Sequence, residues 1–281
     1  MWNNDFSVEH AVKKRYSVRS YEKRLMEKEV EEKLLAYADK LRNPLGPEVN
    51  IKLIKKNLAS NGEKLGTYGV IKGAHTYLGV TVPDEEGALE ALGYDFEQMV
   101  LYAASLGLGT CWLGGTFNRG AFAEAMQVRE GELFPIVSPV GYPAEKKSIL
   151  EQVMRRTTKA DARLPWKELF FRNDFRTALA EKDAGEYRFP LEMLRMAPSA
   201  VNKQPWRVVI TDHAVHFFEK HSMKIGTLDM QRIDMGIAIC HFHLAVLEQG
   251  GEGHFERKNP EISVPDQMSY IVSWIPEVCF S

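Results

Sequence analysis

Two long apolar segments, Tyr94 to Leu108 and Asp234 to Leu247, carry the same landmarks: Gly93, Leu101 and Gly107 return as Gly236, Leu244 and Gly250, each 143 residues later. Both segments are apolar on most faces, which predicts helices buried at the centre of a fold. The signals upstream of each also agree. In the first half, Val30, Leu34, Leu35, Ala38 and Leu41 stand at helical spacing within Glu29 to Leu41, and Asn43-Pro44-Leu45-Gly46-Pro47 then breaks the helix. A strand from Asn50 to Ile54 and an extended segment from Thr76 to Val82 follow. In the second half, Leu191, Leu194 and Met196 precede a break at Ala197-Pro198-Ser199, the β-branched run Val208-Val209-Ile210 and an extended segment from Ala214 to Phe218.

Two copies of a helix-strand-strand-helix unit predict an internal pseudo-dimer, a chain that packs against itself as the subunits of a homodimer would. The expected class is α+β, with mainly antiparallel sheets flanked by helices around the buried central helices. Residues 1–182 form the first half and 183–281 the second, with the hinge near Asp183 to Arg188. No strand-glycine-helix dinucleotide fingerprint precedes these elements, which argues against a Rossmann fold.

Composition narrows the class of partner. Thirty-six basic and thirty-eight acidic residues leave a net charge of -2, so no overall excess would hold nucleic acid or an anionic membrane. An anion site must be local. No stretch reaches the roughly 18 to 20 apolar residues of a membrane-spanning helix, and Met1 to Tyr21 holds no apolar run like that of a signal peptide. The expected location is cytoplasmic. Cys111, Cys240 and Cys279 form no close pair and are odd in number, which predicts reduced thiols.

Three segments carry candidate chemistry. Lys14-Arg15-Tyr16-Ser17-Val18-Arg19 puts residues 15, 17 and 19 on one side of an extended chain, where two guanidinium forks and a hydroxyl could converge on a phosphate; a solvated basic surface is the other reading. Ala197-Pro198-Ser199-Ala200-Val201-Asn202-Lys203-Gln204-Pro205-Trp206-Arg207 is stiffened by two prolines, and Ser199, Asn202 and Gln204 could read the polar edge of a heterocycle. A purely structural helix-to-strand turn is equally compatible with that spacing. Gly107-Leu108-Gly109-Thr110-Cys111-Trp112-Leu113-Gly114-Gly115 has four glycines in nine residues, which permits close backbone approach to a flat ligand. It lacks the lysine and spacing of a nucleoside triphosphate loop.

Together the three segments resemble the FMN-dependent nitroreductase family, in particular its branch with two half-domains fused in one chain. The shared features are the Arg-x-Ser-x-Arg start, the Pro-Ser-x-x-Asn-x-Gln-Pro-Trp turn and the Gly-Leu-Gly-Thr loop ending in paired glycines. The segment Val140-Gly141-Tyr142-Pro143-Ala144-Glu145-Lys146-Lys147 and the later Arg163-Leu164-Pro165 also look like the family's strand, turn and late basic residue. The resemblance implies that Arg15, Ser17, Arg19 and Arg163 hold the FMN phosphate. Arg155 and Arg156 compete for the late role, because the stretch between Lys147 and Arg163 departs from the family pattern. It further implies that Pro198, Ser199 and Asn202 lie against the ring and ribityl chain, and that Leu113, Gly114 and Gly115 give main-chain contacts.

In ordinary nitroreductases one subunit gives the clamp and glycine loop, and the other the Pro-Ser-x-x-Asn turn. Here the clamp and loop lie in the first half and the turn in the second. The opposite site should be dead, because Arg42 to Pro47 and Gly250 to His254 lack the matching motifs. One FMN per chain is expected, in a monomeric pseudo-dimer or a larger oligomer. The implied activity passes electrons from NADH or NADPH to a small electron-poor acceptor, such as a nitroaromatic or quinone, in alternating half-reactions. No catalytic side chain is required, since the flavin carries the chemistry. Enone reduction or reductive dehalogenation on the same scaffold, and a flavin-binding or redox-sensing protein without turnover, are the rival readings.

Cys240-His241-Phe242-His243 invites a metal reading, but His241 and His243 sit about 200° apart round a helix and cannot share a ligand face. No metal is expected. Trp112, Trp166, Trp206 and Trp274 are read as packing residues.

Overall fold

The computed structural model describes residues 6–55, 65–146, 148–223, 226 and 228–278. The chain runs α1 (Val8–Lys14), α2 (Lys28–Ala38), β1 (Asn50–Lys55), β2 (Thr76–Pro83), α3 (Ala88–Ser105), β3 (Gly109–Thr110), α4 (Arg119–Met126) and β4 (Glu132–Gly141). It continues through α5 (Ile149–Thr157), α6 (Trp166–Leu169), β5 (Phe170–Arg172), α7 (Arg188–Arg195), β6 (Trp206–Ile210), β7 (Val215–Lys220), α8 (Met230–Glu248), β8 (Glu252–Glu256) and β9 (Met268–Val278). Each element expected from the hydrophobic pattern forms, with α3 starting six residues earlier than Tyr94. Cys279 lies outside the described residues; Cys111 and Cys240 are buried free thiols.

The strands form one sheet of order β1-β2-β4-β3 and a second of order β5-β6-β7-β9-β8. Apart from β5 the two orders correspond, element for element, in chain sequence. Pairing between these strands is antiparallel except for β5, which joins β6 in parallel through Phe170↔Val208 and Phe171↔Val209. That strand comes from residues 170–172 and so carries the chain from the first sheet onto the edge of the second. In place of a loose linker at Asp183 to Arg188, two short 3₁₀ turns, Glu181–Asp183 and Gly185–Tyr187, lead directly into α7. No helix among the described residues is long and apolar enough to cross a membrane.

The two central helices, α3 and α8, pack on each other between the sheets, and both bury residues on all sides. Their crossing is made by glycines. A Cβ on Gly93 would overlap the Ile233 carbonyl oxygen, and one on Gly236 would overlap the Glu90 carbonyl oxygen. The contact is reciprocal: Gly93 matches Gly236 and Glu90 matches Ile233 at the same 143-residue offset.

Tyr94 and His243 form a polar pair inside this core. Tyr94 on α3 directs its hydroxyl at Nδ1 of His243 on α8 at 2.6 Å. Burial holds the His243 imidazole down at about 3, so it is neutral and accepts that bond. In the unfolded chain the ring binds a proton near pH 6.5. Its contribution to stability is therefore complete above that pH and is lost as the pH falls towards 3. Asp95, pushed up to about 7 by burial, acts in the opposite direction over part of the range, so a difference measurement is needed. In urea titrations, wild type should lose about 3 kcal/mol relative to His243→Asn between pH 7 and pH 4. A pH-independent difference would show that the ring is solvated or charged.

Candidate functional site

The basic segment begins where α1 ends. Ser7 caps the helix by accepting from the His10 amide, Val8, Ala11 and Val12 are buried, and Arg15 turns extended (φ -65°, ψ 129°) as the C-cap. The extended chain then pairs with β3: Ser17 bridges Thr110, and the Val18 amide donates to the Thr110 carbonyl at 2.8 Å. This backbone track puts residues 15, 17 and 19 on one face. All three reach the same place, because Arg19, Ser17 and Arg15 each act on the buried Cys111 thiol, which burial itself pushes up. The Nε atoms of Arg15 and Arg19 are buried and have no hydrogen-bond partner.

The late arginines come from α5 and the loop after it. Arg163 donates through Nη1 to the Ala160 and Ala162 carbonyls, each at 2.9 Å, and through Nη2 to the Met196 carbonyl at 3.0 Å. Its pKa falls to about 10, chiefly through burial and then through the charges of Arg15 and Arg195. Arg163 is thus close to Arg15, while its Nε is left without an acceptor. Arg155 also acts on Arg15; its guanidinium stands 5.5 Å from the Tyr16 ring centroid and is ion-paired with Asp161 at 2.6 Å. Arg156 joins Arg155, Lys159 and Asp161 in lining a neighbouring open cavity of about 660 Å³.

Behind Arg15 lies a carboxylate that the sequence reading did not single out. Glu97 is fully buried on α3. Its Oε2 accepts from Trp112 Nε1 at 2.9 Å, and its Oε1 lies 2.9 Å from His241 Nε2 and 3.9 Å from Arg15 Nε. The other nitrogen of His241, Nδ1, faces the Met193 carbonyl at 2.9 Å. A carbonyl can only accept, so Nδ1 carries a proton, and a second proton lies between Nε2 and the carboxylate. The network joins the clamp, the glycine loop, α8 and the end of α7. An ionisable residue in the middle of an all-round apolar helix was the available signal.

The Pro198–Asn202 turn is held from three directions. The Ala200 amide donates to both carboxylate oxygens of Asp234 on α8, at 3.0 and 3.1 Å. Ser199 Oγ accepts from the Gln204 amide at 2.8 Å, and Asn202 Nδ2 donates to the carbonyls of Lys159 (2.7 Å) and Ala162 (3.0 Å). Gln204 Oε1 accepts from the Leu164 amide at 2.9 Å. These polar groups therefore tie the turn to the arm carrying Arg163. Val201, Asn202 and Gln204 all take positive φ (44°, 57° and 50°), a concentration of backbone strain of the kind found where a turn is functionally constrained.

The glycine loop reaches the same helix. The Leu113 amide and carbonyl are both spent on Val137 of β4, at 2.9 and 3.1 Å, and the Gly114 carbonyl accepts from Arg119 Nη2 at 3.1 Å. A Cβ on Gly114 would stand 3.0 Å from Met230 Cε. Met230 and Asp234 are four residues apart and share a face of α8, so one helical turn separates the loop's anchor from that of the turn. The clamp, loop, turn and Arg163 are thus brought together, while an open cavity of about 1120 Å³ between α1, α7 and the β6–β7 turn is lined by none of them.

Other expectations resolve locally. His241 and His243 point to different partners, as the helical geometry requires. Trp206 and Trp274 are fully buried, and Trp112 and Trp166 pack edge-on to Phe96 and Phe170. A grouping absent from the sequence reading, Glu219, His221 and Asp229, places ligand-type atoms within 4.8 Å of one another. The Arg232 guanidinium already meets it, at 2.9 Å from Glu219 and 3.9 Å from Asp229.

A family model described as "Putative TM nitroreductase" matches residues 7–246. No curated protein matches the sequence. Among solved structures, a protein of Thermotoga maritima MSB8 described as a putative nitroreductase is similar with a TM-score of 0.62 and 18% identity, over 98% of this chain and 96% of its own. A nitroreductase family protein of Clostridium novyi NT gives 0.41 and 21%, over 51% and 90%. A nitroreductase with bound FMN from Bacteroides fragilis NCTC 9343 gives 0.41 and 19%, over 51% and 92%. The likeness to the Thermotoga protein, over nearly the whole of both chains, shows a shared α+β fold.

Proposed function

The chain belongs to the TM nitroreductase family, and from that premise we propose that it is an FMN-dependent oxidoreductase passing electrons from NADH or NADPH to a small electron-poor acceptor such as a nitroaromatic or a quinone. The observation that carries the reading is the pair of buried guanidinium nitrogens, Arg15 Nε and Arg19 Nε, that lack acceptors on the shared face of residues 15, 17 and 19. Buried donors are normally satisfied, and the oxygens of one terminal phosphate would satisfy these with charge-assisted bonds. The donor set fits FMN.

In this reading Arg15, Ser17 and Arg19 hold the phosphate, with Arg163 completing the cationic wall and Arg155 beside it. Glu97 sets the Arg15 side chain from behind. The amides of Gly114 and Gly115 would offer main-chain donors to the ring, and Pro198, Ser199 and Asn202 would form the wall supplied by the second half. Asn202 acts through its hold on the 159–162 arm. Bound FMN supplies the hydride and electron chemistry. The chain's own part is to seat the ring, keep one face accessible and place donors where negative charge develops.

The same reading takes residues 1–182 and 183–281 as two halves of an internal pseudo-dimer with one complete site per chain. The matching strand orders and the reciprocal glycine crossing support it. Purified protein should carry FMN, and not FAD. Its flavin absorbance should bleach with NADH or NADPH and return with a nitroaromatic. Reconstituted protein that binds FMN without bleaching would be a flavin binder without turnover. Arg15→Ala and Arg19→Ala should each weaken FMN binding by about 1.5 to 3 kcal/mol, measured by quenching of flavin fluorescence. Unchanged affinity in both would make the segment a structural one only.

A further inference from the structure

Helix α5 is built inside out. Ile149, Leu150 and Val153 are 81%, 41% and 50% exposed, whereas Glu151 is 1% exposed. Both Glu151 carboxylate oxygens are buried without a hydrogen-bond partner, and among the described residues no ion pair reaches them. An isolated buried carboxylate is costly, so its environment must be favourable to an acceptor. That environment is the clamp. Glu151 acts on the Cys111 thiol together with Arg19 and Arg15, on the Tyr16 hydroxyl together with Arg155, and on the Tyr21 hydroxyl together with Arg19. The Ser148 amide, three residues before it, is bonded to Ser20 Oγ at 3.2 Å, which fixes the start of the helix beside the clamp segment.

Two unsatisfied sets therefore share one electrostatic neighbourhood, next to the Ser148–Ser20 tie: arginine nitrogens that need an acceptor, and a buried carboxylate that needs a donor. A bare phosphate serves the first and is repelled by the second. A phosphate ester flanked by hydroxyl groups serves both.

We propose that Glu151 is a binding residue of this site, accepting hydrogen bonds from hydroxyls next to the phosphate, so that the pocket selects a phosphorylated polyol chain over free phosphate or a diphosphate. The assignment rests on the clamp reading given under Proposed function, and for FMN the groups concerned are the ribityl hydroxyls. An acidic side chain plays the comparable part towards ribose hydroxyls in dinucleotide-binding folds.

The test compares wild type, Glu151→Gln and Glu151→Leu for binding of FMN, riboflavin and lumiflavin by fluorescence quenching. Inorganic phosphate and ribose 5-phosphate are followed by competition and by thermal shift. Both variants should weaken FMN and riboflavin roughly tenfold to a hundredfold, leave lumiflavin, which has no hydroxyls, unchanged, and let inorganic phosphate compete better than in wild type. Arg19→Ala provides the contrast: it should weaken FMN and phosphate while keeping riboflavin. Unchanged or tighter FMN in both Glu151 variants would overturn the proposal and leave Glu151 as a charge opposing the phosphate. Equal loss for lumiflavin would also overturn it, in favour of a structural role. If wild type binds ribose 5-phosphate in a Glu151-dependent way but no flavin, the FMN reading fails and the hydroxyl-reading role stands. If it binds neither, both fail.

Discussion

Alanine at Gly236 should lower the free energy of unfolding by about 3 kcal/mol, the upper end of the usual range for overpacking a core. The sign is not obvious from the helix alone. Glycine in a helix interior is about 1 kcal/mol worse than alanine, so on propensity the substitution would stabilise α8. The added methyl, however, would overlap the Glu90 carbonyl oxygen and press on the Tyr94 amide at 2.9 Å, both of them backbone atoms of α3 that cannot swing aside. The two helices must separate, and the packing along the whole crossing loosens with them. Gly93→Ala should cost a similar amount through Ile233. Because one separation relieves both clashes, the double variant should cost less than the sum of the two. Gly120→Ala on α4, where the nearest atom is 3.7 Å away, should be neutral or slightly stabilising. Losses below about 1 kcal/mol at both central glycines would mean that α3 and α8 do not cross at these residues.

Glu97→Leu should be equally damaging for a different reason. Its removal leaves the Trp112 indole nitrogen and the His241 ring without their acceptor, and the Arg15 guanidinium without its ion-pair partner. Breaking a buried charged pair on one side costs about 3 to 5 kcal/mol, whereas replacing both partners by apolar groups is often nearly neutral. The double variant Glu97→Leu with His241→Leu should therefore recover at least half of the loss, although Arg15 still lacks its 3.9 Å partner. Urea titration of the single and double variants makes the comparison. A single-variant cost under about 1 kcal/mol would show that water reaches these groups. Recovery in the double variant without recovery of FMN affinity would show that the pair stabilises the fold while Glu97 separately positions Arg15.

Much of this arrangement is legible in the residues. The apolar girth of the two central helices places them in the core, because no surface position would hide so many faces. The period-two and β-branched runs at Asn50, Thr76, Val208 and Ala214 become strands because their neighbours leave no helical alternative. The alternation of Arg15, Ser17 and Arg19 needs only an extended backbone to become a single face, and pairing with Thr110 provides it. The side-chain bonds of Ser199, Asn202 and Gln204 were not legible, since hydroxyl and amide groups suit a ligand or a neighbouring loop equally well. The choice of the 159–164 arm by Asn202 and Gln204 depends on contacts about 40 residues apart in sequence.

By itself, then, the sequence determined the helix, break, strand and extended segment that lead to each central helix, which two helices are central, and the alternation along residues 15, 17 and 19. These follow from local periodicity and from chain stereochemistry, which act over a few residues. Only the tertiary structure decided that Glu97 lies behind Arg15, that β5 joins the second sheet, and that Glu151 turns inward while Ile149 and Val153 turn out. Each of these sets a charged or edge group against a partner distant in the chain. The energy that decides it is desolvation against pairing, and no local pattern records where the partner will be.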